Sequence, residues 1–366
     1  MAILITDALR QNWVVITGLL LALVVSIRRT KDDSFFPPQT TTELKGLAIL
    51  MVVFSHIGYF LVSDRQFLVP LSNYAGVGVD LFLVLSGYGL VVSALKKPLS
   101  IGQFYSKRLR RIYIPVAVTV ALFVLLDFFF LHLTYPLKTV IENLLGFFPR
   151  ADLYQDINSP LWYITPLLAY YLLFPLIFWK RFPAVSAIGM ALVGWLFIKY
   201  SPQFHIVSVD MIKLYKLHFL SFPLGVALGA LSPMLSRLRL SAVWRWLIII
   251  LSLGVFAYTY SHSFVTDSVL RDAVASLMTV MAVIALFVYK KINFKILALL
   301  GVFSFEIYLL HWPLLYRYNF LYGKIPAGLA TLIYLALFLG LGFLYQKLLS
   351  LFYPVRRQPD VSGKSV

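Results

Sequence analysis

The chain has 366 residues, 60% of them hydrophobic and only 13% charged, with a mean hydropathy of +0.85, which excludes an ordinary soluble domain. Lys and Arg outnumber Asp and Glu by 32 to 15; in so apolar a chain this excess points to basic loops on the inner side of a membrane rather than to nucleic acid. With no cysteine at all, disulfides, thiolate metal sites, palmitoylation and any cysteine-bound acyl intermediate are excluded.

Apolar runs long enough to cross a hydrocarbon core, marked off by charged borders, fall at roughly 12–27, 44–62, 77–95, 112–133, 161–179, 183–198, 217–235, 243–261, 273–289, 296–315 and 327–350. They predict an all-α, multi-pass integral membrane bundle of about eleven transmembrane helices. The first run lacks the basic start and small-residue cleavage site of a signal peptide and reads as a helix. The loop 134–160 carries an amphipathic stretch from Leu137 to Phe148, followed by Asp152, Asp156 and Asn158, and is expected to lie on the outer interface as a lid.

When alternate loops are assigned to the same side, one side holds 22 of the 32 basic residues, among them Arg28, Arg29, Lys31, Lys107, Arg110, Arg239 and Arg356. The rule that basic loops stay inside then sets the N-terminus outside and the C-terminus inside. The stretch from Arg356 to Val366 reads as a short disordered tail.

An ionisable side chain inside a bilayer is costly, so each one within these spans is a candidate site. His56, Asp80, Asp127, Glu306 and His311 qualify. His56 follows Lys45 by eleven residues, three helical turns plus about 20°, so both point the same way, about 16 Å apart along the axis. A histidine at that depth suits a general base; its other reading is a packing hydrogen bond to a neighbouring helix. Asp80 lies at a comparable depth on the next span, either orienting the imidazole of His56 or stabilised by the positive end of its own helix. Glu306 falls near mid-membrane, where a protonated, hydrogen-bonded carboxyl would be stable, and His311 lies towards the outer face beside Trp312. Arg108 and Arg111 share one face at the start of the span expected from Ile112, either a phosphate clamp with the helix N-terminus or a topology anchor. No Gly-rich phosphate loop, helical two-histidine zinc pair or serine nucleophile elbow is present.

The run Leu44-Lys-Gly-Leu-Ala-Ile-Leu-Met-Val-Val-Phe-Ser-His56, then Gly78-Val-Asp-Leu-Phe-Leu-Val-Leu-Ser-Gly-Tyr88, then Arg108-Leu-Arg-Arg111 resembles the acyltransferase 3 family of bacterial integral membrane proteins, which move an acetyl or related acyl group onto carbohydrates. The resemblance spans nearly all of residues 40–350. It implies that His56 is the essential histidine, that Arg108 and Arg111 serve the acyl-CoA donor, and that Ser86 belongs to a family segment of the third span. It also implies a ten-helix core over 40–353, preceded by an additional helix and linker within 1–39 and followed by a cytoplasmic tail, 354–366. Where the family commonly has arginine eleven residues before its histidine, this chain has Lys45, which keeps the charge without the bidentate fork.

The resulting expectation is an O-acetyltransferase of the bacterial inner membrane. Acetyl-CoA is the co-substrate, with no metal and no nucleic acid, and the acceptor is a carbohydrate hydroxyl on a cell-surface or lipid-linked sugar. His56, Asp80, His311 and Glu306 lie on the reacting side, and Arg108, Arg111, Lys45 and Ser86 on the donor side. The rival is a proton-coupled transporter or flippase using His56, Asp80 and Glu306 as a proton relay.

Overall fold

The structure is a computed structural model of the chain and describes residues 3–30, 35–64, 66–97, 100–237, 241–261 and 268–351. Lys31, Arg239 and the tail 354–366 lie outside the described residues. In chain order the elements are α1 (Ala8–Val25), β1 (Ile27–Arg29), α2 (Pro38–Ser55) continued by a π-helical turn (His56–Leu61), a 3₁₀ turn (Leu71–Tyr74), α3 (Ala75–Lys96), α4 (Ile101–Leu131) and α5 (Leu137–Leu144). A 3₁₀ turn (Ser159–Tyr163) leads into α6 (Ile164–Ile177), α7 (Pro183–Phe204), α8 (Val209–His218), α9 (Ser221–Leu235), α10 (Ala242–Ser261) and α11 (Val269–Tyr289). β2 (Ile292–Phe294), α12 (Lys295–Val302), α13 (Ser304–Tyr316) and α14 (Ala327–Leu349) complete it.

Among the described residues ten helical spans are long and apolar enough to cross a membrane, and α12 with α13 makes an eleventh. The eleven apolar runs of the sequence correspond to them one for one, so the fold is an all-α multi-pass membrane protein. Two spans in particular differ in form from the expectation. The fourth begins at Ile101 rather than near 112, because Lys107, Arg108, Arg110 and Arg111 are good helix formers and the helix continues through them. The tenth is bent by 75° at Phe303, where α12 ends and α13 begins. The Ser304 hydroxyl donates to the Gly301 carbonyl at 3.0 Å and satisfies one of the acceptors that the break frees.

The chain divides into two compact units. The first comprises Met1–Phe82, Ser236–Thr266 and Val274–Val366 and contains His56, Asp80, Glu306 and His311, the boundary falling within α3. Its core is the face-to-face contact of α2 with α12. A Cβ built on Gly46 would lie 1.9 Å from the carbonyl oxygen of Leu297, and one on Gly301 1.8 Å from that of Thr42. Only glycine at both positions lets the backbones approach so closely, the small-residue packing that membrane helices use in place of a hydrophobic drive. β1 pairs antiparallel with β2, Arg28 opposite Asn293, a two-stranded ribbon that the apolar periodicity did not signal.

The second unit comprises Leu83–Leu235 and Asp267–Ala273. In it α4 packs on α5 and α6, and α7 on α8 and α9. Tyr170 of α6 stacks on Phe222 of α9, with ring centroids 4.5 Å apart, and its hydroxyl donates to the Phe219 carbonyl at 2.7 Å. The amphipathic stretch expected after α4 forms α5 and ends at Leu144.

Candidate active site

α2 ends at Ser55, and the chain continues in the wider π-helical winding from His56 to Leu61. π turns within helices are uncommon and concentrate at functional sites, since they redirect side chains out of the regular i, i+4 rows. Here the turn opens at His56. Its Nδ1 lies 2.6 Å from Nε2 of His311 on α13, and the two rings are nearly parallel, 14° apart with centroids separated by 4.9 Å. Trp312 and Phe60 flank His56, with ring centroids at 5.3 Å and 6.0 Å. His311 and Trp312 are fully buried, whereas His56 is half-buried.

The hydrogen-bond partners of His311 fix the sense of the pair. Its Nδ1 lies 2.9 Å from the Tyr308 carbonyl and 3.1 Å from the Ile307 carbonyl. A carbonyl oxygen only accepts, so Nδ1 of His311 carries the hydrogen, and in the neutral ring Nε2 is bare. His56 Nδ1 must therefore donate to it. The remaining nitrogen of neutral His56, Nε2, is left with an unprotonated lone pair. A chain of backbone carbonyl, imidazole and imidazole thus sets the tautomer of His56, the part a buried carboxylate plays for catalytic histidines elsewhere.

That is the part the sequence offered to Asp80. The structure gives the Nδ1 position to His311, and Asp80, completely buried on α3, accepts instead from the Ser276 hydroxyl of α11. Asp127 likewise has a local partner, the Tyr135 hydroxyl at 2.5 Å. Glu306 is buried in the first turn of α13, five residues before His311, where the positive end of the helix favours a carboxylate. Gln346 Nε2 lies 3.5 Å from its Oε1. Lys45 is half-buried on α2, and Ser86 half-buried on α3.

Arg108 and Arg111 lie in the second unit, Arg108 half-buried and Arg111 exposed. Because α4 starts at Ile101, they are two turns or more inside the helix rather than at its N-terminus. The backbone N–H groups around them are used within the helix, which corrects the expectation that main-chain donors would join the guanidinium groups at a phosphate. The i, i+3 face is retained, and with it the forked donors of the side chains. Some 31 residues long, α4 measures about 46 Å, so its far end, beyond Asp127, opens on the opposite side of a bilayer core about 30 Å thick.

At that far end α5 and the segment from Phe148 to Ser159 border a shallow polar cleft lined by Thr139, Glu142, Asn143, Arg150, Asp156 and Asn158. Arg150 Nε lies 3.8 Å from Asp156 Oδ1 there. Burial pushes the Asp156 carboxyl above the usual aspartate value, opposed by the Asp152 N–H it accepts and by Arg150.

A buried ion pair escaped the sequence reading. Glu43, completely buried on α2, pairs with Lys290, which follows α11 and also donates to the Ile292 carbonyl at 2.8 Å. The ammonium lies over the rings of Phe287 and Phe294, at 4.7 Å and 5.1 Å. Glu43 falls one residue before the second apolar run, so it reads as a border residue, and its partner is 247 positions away.

Taken together, the molecule is a polytopic helical membrane protein that holds a coupled imidazole pair at a π turn. The family model described as an acyltransferase domain, acyltransferase 3, matches residues 44–347. The chain belongs to that family, and it is a membrane acyltransferase. Neither the curated proteins nor the solved structures yield a match. α1 precedes the matched region.

Proposed function

We propose that the protein is an O-acyltransferase, most simply an O-acetyltransferase, that moves the acyl group of a cytoplasmic acyl-CoA to a hydroxyl of a cell-envelope carbohydrate or its lipid-linked precursor. The observation that carries this reading is the His56–His311 pair, which leaves an unprotonated Nε2 on His56 in a family of acyltransferases. His56 Nε2 takes the proton of the acceptor hydroxyl as its oxygen attacks the thioester carbonyl carbon. Positive charge then develops on the His56 ring, and the Nδ1–H bond to His311 strengthens as it does. When the carbon–sulfur bond breaks, the proton on Nε2 passes to the departing thiolate, leaving an O-ester, free CoA and neutral His56.

Arg108 and Arg111 are assigned to the phosphates of the donor, with Lys45 as a further positive charge. Support comes from their place on one face of α4 at the end away from the polar cleft. On the basic-inside rule that end faces the cytoplasm, in the inner membrane of a bacterium, with the N-terminus outside and the C-terminus inside.

Two measurements test this together. Binding of acetyl-CoA to the detergent-solubilised protein is expected to be saturable and to weaken about tenfold or more in the Arg108→Ala, Arg111→Ala double variant. Transfer from acetyl-CoA to envelope carbohydrate in membranes is expected to vanish in His56→Ala with donor binding retained. Transfer that survives His56→Ala overturns the assignment of the base, and a folded parent that does not bind acetyl-CoA overturns the donor.

A further inference from the structure

α1 lies ahead of the matched acyltransferase region, and the match gives it no task. In the structure α1 and the residues just before it are tied twice to the segment that follows the π turn of His56. The first tie is main chain to main chain. The Ile3 N–H donates to the Leu61 carbonyl and the Ser63 N–H to the Ile3 carbonyl, both at 3.0 Å, so Ile3 runs beside Val62 where the turn ends.

The second tie is a side chain. Asn12, buried on α1, donates through Nδ2 to the Gln66 carbonyl at 2.8 Å and accepts at Oδ1 from the Leu68 N–H at 2.6 Å. Leu68 has φ 63°, in the left-handed region that a branched side chain avoids unless its surroundings hold it there. The amide of Asn12 is such a hold. The backbone it fixes is what the π turn rests on. A Cβ built on Gly58, the third residue of that turn, would lie 2.6 Å from the Phe67 carbonyl oxygen and 3.1 Å from the Leu68 Cβ.

At its other end α1 runs into β1, which pairs with β2, and the Ser26 carbonyl accepts from the Lys295 N–H at 2.9 Å. β2 leads directly into α12 and, across the bend at Phe303, into α13 with His311. α1 is therefore tied both to the segment that follows His56 and to the start of α12, the helix that leads into α13.

We propose that Asn12 is a positioning residue: by fixing Gln66–Leu68 beneath the π turn it sets the orientation of His56 towards His311, and α1 serves as the brace of the pair. The inference rests on the reading of His56 as the base, but its test needs no acyl transfer. The readout is the rate at which diethyl pyrocarbonate modifies His56 in the full-length, detergent-solubilised protein, followed by peptide mass spectrometry between about pH 5 and 8.

Asn12→Leu keeps the size of the side chain and removes both hydrogen bonds. It is expected to raise the His56 rate about three- to tenfold and to change its pH profile, the factor that loss of such a bond commonly carries. Asn12→Asp keeps the acceptor for Leu68, loses the donor to Gln66 and falls between the two. Val15→Ala, a fully buried position on the same helix, is expected to lower the melting temperature while leaving the His56 rate and profile unchanged. A folded Asn12→Leu protein with the parent's rate and profile overturns the proposal, as does a Val15→Ala protein whose His56 reacts equally fast. If Asn12→Leu does not fold, a parent-like rate in Asn12→Asp overturns it instead. Failure here leaves His56→Ala transfer unaffected as the test of the base itself.

Discussion

His56 and His311, 255 residues apart in the chain, share a 2.6 Å contact between imidazole nitrogens, and two backbone carbonyls on the far side of His311 fix which ring donates. The His311 ring thereby acts as the orienting partner of the His56 ring. A neutral imidazole in this place stabilises a developing imidazolium less than a carboxylate would, but it costs far less to bury.

His311→Leu is therefore expected to lower kcat for acyl transfer about 10²- to 10⁴-fold with little change in KM for the donor, because the interaction it removes strengthens only as His56 gains its proton. His311→Gln, which offers an amide oxygen to the His56 Nδ1–H, should recover part of the loss. Steady-state transfer in membranes containing equal amounts of each variant measures both. An equal loss in the two variants would mean that accepting this hydrogen bond is not what matters.

The Glu43–Lys290 pair makes a different prediction. Burial alone pulls the Lys290 ammonium below its usual value, and the Glu43 carboxylate works against that. Lys290→Met strands a carboxylate that is completely buried and should destabilise the protein by about 3–5 kcal/mol. Glu43→Gln with Lys290→Met removes both charges and should restore most of that stability. Thermal unfolding in detergent of the two single variants and the double variant gives the coupling.

Asp156 supplies a pH dependence. Burial, above all, raises its folded-state value above the ordinary aspartate value of 3.8, so the stabilisation is fully present below the unfolded value and is lost as the pH rises through the folded one. Amide hydrogen exchange in the segment from Arg150 to Ser159 should thus be slowest, after correction for intrinsic rates, at the acid end, and protection should decline as the pH climbs above 3.8. Asp156→Asn should flatten the profile. A parent whose protection rises with pH would mean that the ion pair with Arg150 outweighs burial.

Gly46 and Gly301 set the spacing of α2 and α12. Gly46→Ala places a methyl group inside contact distance of backbone, which cannot swing aside as a side chain can. A loss of about 1–3 kcal/mol or more is expected, with Gly301→Ala similar and the pair less than additive, since either change already separates the helices. Melting temperatures of the three proteins test it, and a neutral Gly46→Ala would show that the contact is looser than drawn.

Much of this protein was determined by its sequence alone. The eleven spans and their order follow from local composition, because the cost of taking polar groups into hydrocarbon is counted residue by residue over each apolar run. The same reasoning isolates His56 and His311, since an ionisable group in an apolar run stands out without reference to any partner. The tertiary structure decided which of them meet. By depth Asp80 was the partner the sequence offered to His56, and only the packing of α13 against the π turn put His311 there instead. Glu43 with Lys290, and Asn12 with Leu68, are equally invisible along the chain, for they join segments 247 and 56 positions apart. The π turn at His56 and the bend at Phe303 belong to the same class: hydrophobic periodicity cannot tell a continuous helix from one that widens or breaks, because each winding satisfies its backbone from neighbours that only the folded protein supplies.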